Sequence, residues 1–215
     1  MFLIGAPGVG KSTVSRQLAA NLGLYAFQSG QVLRDTAKNG RDADLRALIS
    51  ARMKKNMPMP VEVYCRLLRE HVPQGQGPGI VLDGYPRNLD QCLSIPAVLE
   101  AAGIDAGQVV GFVLEAPQDV VVARSAQRLV CDTCGQEARR GGLCCVTPRL
   151  NRRPDDAMDQ LLARSAQFHE RLPSVREAFA ARWPCFAVDA SRSPDDVHAS
   201  IRARLRFALD FVGDR

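Results

Sequence analysis

At 215 residues, the chain is long enough for one domain with a substantial core, and two independent domains are not required. Its composition, 46% hydrophobic and 24% charged, excludes a disordered or fibrous protein. The formal charge of +5 is nearly all arginine and is not gathered into one block, so it suits an anionic substrate or a nucleic acid and selects neither.

Five short apolar runs are continuous rather than alternating, which is typical of strands whose two faces are both covered. These predicted strands are Phe2–Ile4, Tyr25–Phe27, Ile80–Leu82, Val109–Leu114 and Phe186–Val188. Helical patterns separate them, including Ser12–Asn21, Pro60–His71 and a last helix that opens at Ser193. The alternation predicts an α/β fold with three layers around a five-stranded parallel sheet, and ligands beyond the carboxyl ends of the strands.

The first predicted strand runs into a glycine-rich loop, Gly5–Ser12, which matches the P-loop pattern GxxxxGK[ST] and opens a predicted helix. Glycines let backbone N–H groups turn towards phosphate oxygens, and the helix N-terminus adds partial positive charge. Lys11 is then expected to reach the terminal phosphates, and Ser12 or Thr13 to supply a hydroxyl near Mg²⁺. A glycine-rich turn without a ligand is the alternative interpretation.

The loop begins too close to Met1 for a secretion signal to precede it, and no apolar run of about 18 residues occurs. The sequence therefore predicts a cytoplasmic protein that does not associate with a membrane.

A second motif follows the third predicted strand, where the segment Asp83–Arg87 reads Asp-Gly-Tyr-Pro-Arg and Gln91 comes four residues later. Asp83 would lie beside the P-loop and hold water around Mg²⁺, and Arg87 can bind a phosphate with two hydrogen bonds. Asp-Gly is also an ordinary turn signal, which is the competing interpretation.

Between about Val130 and Asn151 the helical and strand patterns give way to Gly, Cys, Arg and Pro, which predicts an inserted loop or mini-domain. Four of the seven cysteines lie there: Cys131, Cys134, Cys144 and Cys145. Without a secretion signal, such a cluster indicates a structural Zn²⁺ site before it indicates disulfides. Because adjacent cysteines seldom both bind one ion, an Asp or His completing the set and loss of the metal both stay open.

The two motifs, in this order and at this separation, resemble the adenylate kinase family. The likeness covers most of the chain, since Gln28–Arg34 looks like the segment that holds AMP and Met57–Pro60 like the stretch lining its pocket. It implies the reaction MgATP + AMP ⇌ 2 ADP in a monomeric kinase domain over residues 1–215. It also implies a helical segment at 28–58 that binds the nucleoside monophosphate (NMP), and an inserted lid at 129–158.

The resemblance also assigns the site residues. The expected ATP contacts are Gly8, Val9, Gly10, Lys11, Ser12, Thr13, Arg124, Arg128 and Arg192. The expected AMP contacts are Ser29, Arg34, Met57, Pro58, Met59, Gly84, Tyr85, Pro86, Arg87, Gln91, Arg153 and Arg164. The expected catalytic cations are Lys11, Arg87, Arg124, Arg153 and Arg164. Ser12 and Asp83 are expected at Mg²⁺, with Asp83 acting through water, and the four clustered cysteines at Zn²⁺.

Two of these assignments depend on particular features. Gln91 is expected to recognise adenine through hydrogen bonds from both the carbonyl oxygen and the NH₂ group of its amide, whereas relatives that use pyrimidine monophosphates tend to carry Asn there. Arg124 and Arg128, four residues apart, are expected to project from one helix face, with Arg153 and Arg164 on the next helix. The alternatives are a solvated helix residue for Gln91 and solvated surface charges for the arginines.

Two other functions remain open at this point. One is a sister kinase with an acceptor other than AMP. The other is a non-catalytic protein that binds nucleotides or nucleic acid through a zinc ribbon, which Arg139 and Arg140 would suit. The insert lacks the aromatic residues that stack on bases, so nucleic acid is not the expected partner.

Overall fold

The computed structural model describes residues 1–73, 79–104, 108–131, 133, 145–152 and 157–213, with side chains of the last helix described as far as Arg206. The strands are β1 Phe2–Gly5, β2 Tyr25–Gln28, β3 Ile80–Asp83, β4 Gly111–Glu115, β5 Val130–Cys131, β6 Leu150–Asn151 and β7 Cys185–Asp189. The helices are α1 Lys11–Leu22, α2 Ser29–Asn39, α3 Ala43–Lys54, α4 Val61–His71, α5 Leu89–Leu93, α6 Ile95–Ala101, α7 Gln118–Ala126, α8 Met158–Ala180 and α9 Pro194–Gly213.

The five predicted strands form one parallel sheet in the order β2-β3-β1-β4-β7, which confirms the predicted sheet. Some bounds differ from the prediction. The fourth strand begins at Gly111 instead of Val109, and Pro60 precedes α4 as its N-cap instead of starting the helix. Before β4 the apolar run extends into the connecting segment through Val109 and Val110, and Pro60, with ψ 149°, has a non-helical backbone at the position just before α4.

Alternate residues of each strand enter two different cores, which gives the three layers. Phe2 and Ile4 of β1 belong to the core under α4, α6 and α8, whereas Leu3 packs with α1 and α9 on the opposite face. Strand β4 approaches α8 closely, since a Cβ on Gly111 would lie 2.7 Å from the Phe179 ring. Glycine is therefore required at this point of contact between sheet and helix.

Two features extend beyond the sheet and its covering helices, although Leu33 of α2 and Leu45 and Ile49 of α3 join the core under α8. Helices α2 and α3 pack on each other within the segment at 28–58, and the pair β5 and β6 joins the ends of the predicted insert in antiparallel register. The functional roles given to these two regions stay predictions. In the described residues, no helix is both long and apolar enough to span a membrane.

The strand order also fixes where the two motifs meet. β1 and β3 are hydrogen-bonded neighbours, with Leu3 opposite Asp83, so their carboxyl ends lie side by side at one edge of the sheet. The P-loop that follows β1 and the Asp83–Arg87 turn that follows β3 therefore face the same space.

Candidate active site

A cleft of about 440 Å³ opens at this edge, with the P-loop on one wall and the Asp83–Arg87 turn on the other. The charged side chains that line the cleft are almost all positive. Among the described residues that line it, Asp83 is the single carboxylate. The cations are Lys11, Arg16, Arg34, Arg87, Arg124, Arg128, Arg164, Arg171 and Arg192. A cleft with this lining suits polyanionic ligands.

The P-loop backbone has a conformation that only glycine adopts easily. Gly8 has φ 83° and Gly10 has φ 104°, both in the left-handed region. Gly10 is also the N-cap of α1, which begins at Lys11. The first residues of this helix line the cleft, and a helix N-terminus, with its N–H groups and dipole, is a site for phosphate oxygens.

Lys11 is folded back onto its own loop. Its Nζ donates hydrogen bonds to the Gly5 carbonyl at 2.8 Å and the Ala6 carbonyl at 2.7 Å. Removal of the ammonium group from water lowers the pKa of Lys11 to about 8; Asp83 opposes this shift, and Arg87, Arg128 and Arg164 add to it. The lysine is thus held in the cleft among other cations. An anionic ligand bound there would stabilise the charged form of its amine.

Two guanidinium groups converge on the opposite wall. A Cβ on Gly30 would lie 3.4 Å from Arg34 Nη1 and 3.9 Å from Arg87 Nη2, so both side chains lie over this glycine. Arg87 Nε donates to the Gly84 carbonyl at 2.8 Å, and Arg34 Nη2 donates to Gln31 Oε1 at 3.2 Å. The absence of a side chain at Gly30 leaves room for an anion between the two arginines.

Several residues predicted to contact AMP point into the core instead of the cleft. Tyr85 is fully buried against Phe2 and Tyr64, and its hydroxyl donates to the Gln91 carbonyl at 2.8 Å. The Ser29 hydroxyl donates to the carbonyls of Asp83 at 2.6 Å and Gly84 at 3.2 Å. In this conformation these side chains stabilise the turn, whereas Gly84, Pro86 and Arg87 of the same motif line the cleft.

The interpretation of Gln91 as a solvated helix residue is wrong, because its side chain is 1% exposed. Its amide connects the Asp83–Arg87 turn to the segment before α4: Oε1 accepts from the Arg87 N–H at 2.9 Å, and Nε2 donates to the Met59 carbonyl at 2.9 Å. The Gln91 side chain also forms a hydrogen bond with Tyr64, so its amide is engaged within the protein, and Gln91 is not among the described residues that line the cleft. Met57 and Pro58 line the cleft next to this position, and Met59 is buried.

The Arg124 guanidinium donates hydrogen bonds to backbone carbonyls of the protein itself. Nη1 donates to the carbonyls of Val9 at 3.3 Å and Ala190 at 2.5 Å, and Nη2 to those of Ser191 at 3.0 Å and Arg192 at 2.9 Å. It thereby ties the P-loop to the loop after β7. The prediction that Arg124 and Arg128 share one helix face is wrong, because α7 ends at Ala126, although both side chains line the cleft.

Helix α8 forms a third wall of the cleft, and only one of its described cleft residues was predicted. Arg164 was predicted, and Gln167, Phe168 and Arg171 line the cleft from the same helix. Their spacing of three and four residues is that of a single helix face, which was the available signal. Gln167 also accepts a hydrogen bond from Asn56 at 2.7 Å. Arg153 lies outside the described residues.

Two residues near the P-loop also have contacts there that were not predicted. Arg16 follows one turn after Ser12 and Thr13 in α1, and all three line the cleft. Gln28 donates from Nε2 to the Ser12 carbonyl at 2.8 Å, which links the end of β2 to the P-loop. No local pattern in the sequence marked Arg16, and Gln28 was marked only as the first residue of the expected AMP segment and not as a contact of the P-loop.

The two predicted metal sites differ in what the described residues show. Asp83 is 4% exposed and lines the cleft with Ser12, so a carboxylate and a hydroxyl, groups of the kind that bind a hard cation, line the same cleft. Cys131 Sγ and Cys145 Sγ are 3.7 Å apart, and Cys134 and Cys144 lie outside the described residues. No group of three or more His, Cys, Asp or Glu that could hold a metal occurs in the described part of the chain. Zinc therefore stays a prediction.

Comparisons with known proteins agree with this geometry. A family model described as adenylate kinase matches residues 3–206. The chain is 30% identical to an adenylate kinase of Novosphingobium aromaticivorans, over 95% of this chain and 98% of that protein. It is 29% identical to an adenylate kinase of Rhizorhabdus wittichii, with the same coverage of both chains, and 26% identical to one of Zymomonas mobilis, over 96% and 95%.

Proposed function

The chain belongs to the adenylate kinase family, and on that premise we propose that it transfers the terminal phosphoryl group of MgATP to AMP, giving two molecules of ADP. The observation that carries this proposal is the cleft itself. Its described lining residues include one lysine and eight arginines against one carboxylate, with a P-loop on one wall and a pair of converging guanidinium groups on the other. That arrangement suits two nucleotides whose phosphates meet in the middle.

The donor end is assigned to the P-loop. The backbone N–H groups around Gly8–Gly10 and the N-terminus of α1 would bind the phosphates of ATP. Lys11 would exchange its hydrogen bonds to Gly5 and Ala6 for bonds to phosphate oxygens. The loop at Ser191 and Arg192, which Arg124 fixes against the P-loop, would then contact the donor base.

The acceptor end is assigned to Arg34 and Arg87. Both guanidinium groups lie over Gly30, where they would bind the α-phosphate of AMP through charged hydrogen bonds. Gln91 would exchange part of its hydrogen bonding within the protein for bonds to the adenine edge, on the side where Met57 and Pro58 line the cleft. Residues 28–58 are proposed as the NMP-binding segment and residues 129–158 as a lid, whose closure would exclude water from the reaction.

Ser12 and Asp83 are the residues we assign to Mg²⁺, which keeps several waters and needs only one or two protein oxygens beside the substrate phosphates. When bound, the ion supplies positive charge to the phosphate chain. The protein needs no general base, because the acceptor oxygen of AMP is already an anionic nucleophile. That oxygen forms a bond to the γ-phosphorus while the bond to the β–γ bridging oxygen breaks, and ADP leaves with the electron pair. Lys11, Arg87 and Arg164 would offset the charge repulsion during this step.

Proton uptake on nucleotide binding is one testable consequence. In the free protein the pKa of Lys11 is lowered to about 8, and a bound polyphosphate would raise it again. Between these two values, binding of MgATP takes up a proton, so affinity falls as pH rises through this window. We expect calorimetric titration at about pH 8.5 to give binding heats that differ between buffers of unequal ionisation enthalpy. Equal heats in both buffers, or buffer dependence that persists in Lys11→Ala, would contradict this.

The acceptor is tested by a coupled assay of ADP formation with AMP, GMP, CMP and UMP. We expect AMP to have the highest kcat/KM, and we expect Gln91→Asn to reduce kcat/KM for AMP by at least about 10-fold. The shorter amide cannot span from Arg87 N–H to the Met59 carbonyl and also reach a base. If Gln91→Asn matters little and another monophosphate is preferred, the chain is a sister kinase with a different acceptor.

A further inference from the structure

Ser125 is a buried polar side chain whose position the neighbouring protein groups do not explain. It lies in the last turn of α7, is 3% exposed, and lines the cleft. No described residue forms a hydrogen bond with its Oγ. Because an unpaired buried hydroxyl destabilises the folded protein, its retention at the wall of a ligand cleft indicates a partner that arrives with the ligand.

The hydroxyl lies directly against the P-loop. A Cβ built on Gly8 would be 2.3 Å from Ser125 Oγ and 3.0 Å from Val121 Cγ1, so Oγ occupies the space that a side chain at position 8 would fill. The preceding residue, Arg124, reaches the same loop through the Val9 carbonyl at 3.3 Å. Two consecutive residues of α7 thus contact the P-loop, and Ser125 does so with its hydrogen-bond donor unused.

We propose that Ser125 donates its hydroxyl hydrogen to a phosphate oxygen of the nucleoside triphosphate bound in the P-loop. The cations around the cleft can only donate hydrogen bonds, so none of them can accept this hydrogen. A phosphate chain on the P-loop brings acceptor oxygens into the same space. The inference rests on the proposed function, and it adds a donor-side residue that the GxxxxGK[ST] motif does not contain.

The test is the variant Ser125→Ala, which removes Oγ and adds no atoms. We expect KM for MgATP to rise about 10-fold while KM for AMP stays within about 2-fold of the original value. The dissociation constant of magnesium tripolyphosphate, which has neither base nor ribose, is expected to rise by a similar factor. The melting temperature of the ligand-free variant is expected to be unchanged or higher, because an unpaired hydroxyl has been removed.

Ser15 provides a matched control. It is also fully buried and its Oγ has no partner among the described residues, but it lies in α1 and does not line the cleft. Ser15→Ala is therefore expected to bind MgATP and magnesium tripolyphosphate with the original affinities. If Ser15→Ala lost a comparable amount of affinity, the Ser125→Ala result would be an effect of altered packing, and the proposal would be contradicted.

Two further results would overturn the assignment. If Ser125→Ala binds both ligands as before, the hydroxyl makes no contact with the donor. If it weakens MgATP alone, the contact is with base or ribose and not with phosphate. Failure of the proposed function would look different, since the original protein would then form no ADP from MgATP and AMP, whatever the tripolyphosphate titration shows.

Discussion

Lys11→Ala is expected to abolish phosphoryl transfer while the protein stays folded. We expect kcat/KM for MgATP at saturating AMP to fall by at least about 10³-fold, or about 4 kcal/mol of transition-state stabilisation. Lys11 carries the cation nearest the terminal phosphates in the proposed complex, and the arginines that face it cannot take over its position at the P-loop. Activity is measured in the coupled ADP assay, and folding by circular dichroism and thermal unfolding.

The structure also explains why the fold should survive this change. The lowered pKa of Lys11 means that the folded protein disfavours the charged amine relative to water, which offsets the two hydrogen bonds that the ammonium donates. Lys38→Ala is the matched control, because Lys38 is an exposed lysine at the end of α2, and near-original activity is expected. Near-original activity in Lys11→Ala would refute the role given to this lysine.

Arg87→Ala is the second variant with a very large expected effect, and it should act on the acceptor side. We expect kcat/KM for AMP to fall by at least about 10³-fold, whereas the dissociation constant of MgATP changes by less than about 3-fold. Arg87 lies over Gly30 with Arg34, and its Nε is fixed by the Gly84 carbonyl at 2.8 Å. Its loss leaves one guanidinium where the proposal requires two. Steady-state kinetics and MgATP titration measure the two effects separately.

Two further variants are compared with Arg87→Ala. Arg87→Lys keeps the charge but cannot form two parallel hydrogen bonds, so intermediate activity is expected. Arg66→Ala removes a surface arginine that pairs with Asp42 and Glu70, and original activity is expected. If Arg87→Ala weakens MgATP binding as much as it weakens AMP turnover, then Arg87 does not serve the acceptor side.

The sheet and the P-loop could be predicted because both depend on local chemistry. Continuous apolar runs mark strands buried on both faces, and the glycines at 8 and 10 are needed for positive φ angles wherever that loop occurs. The motif order then placed Lys11 and Asp83 at one edge, as observed. In each case a short segment determines its own structure.

Side-chain direction at the site could not be predicted, because it depends on packing between distant elements. Tyr85 turns into the core against Phe2 and Tyr64, and Arg124 bonds to carbonyls of residues 190–192, which lie more than sixty positions along the chain. Arg171 reaches the cleft because α8 continues along its wall. The unpaired hydroxyl of Ser125 likewise depends on the packing of α7 against Gly8, which no local pattern predicts.

The central claim is that two nucleotides meet through their phosphates within one cationic cleft. The most direct measurement is a crystal structure with a bisubstrate ligand, two adenosines joined by a polyphosphate chain. We expect one adenosine beside the Ser191 loop, the other near Gln91, and the phosphates between Lys11 and Arg87. A ligand bound elsewhere, or a single adenosine in the cleft with the second in solvent, would contradict the account.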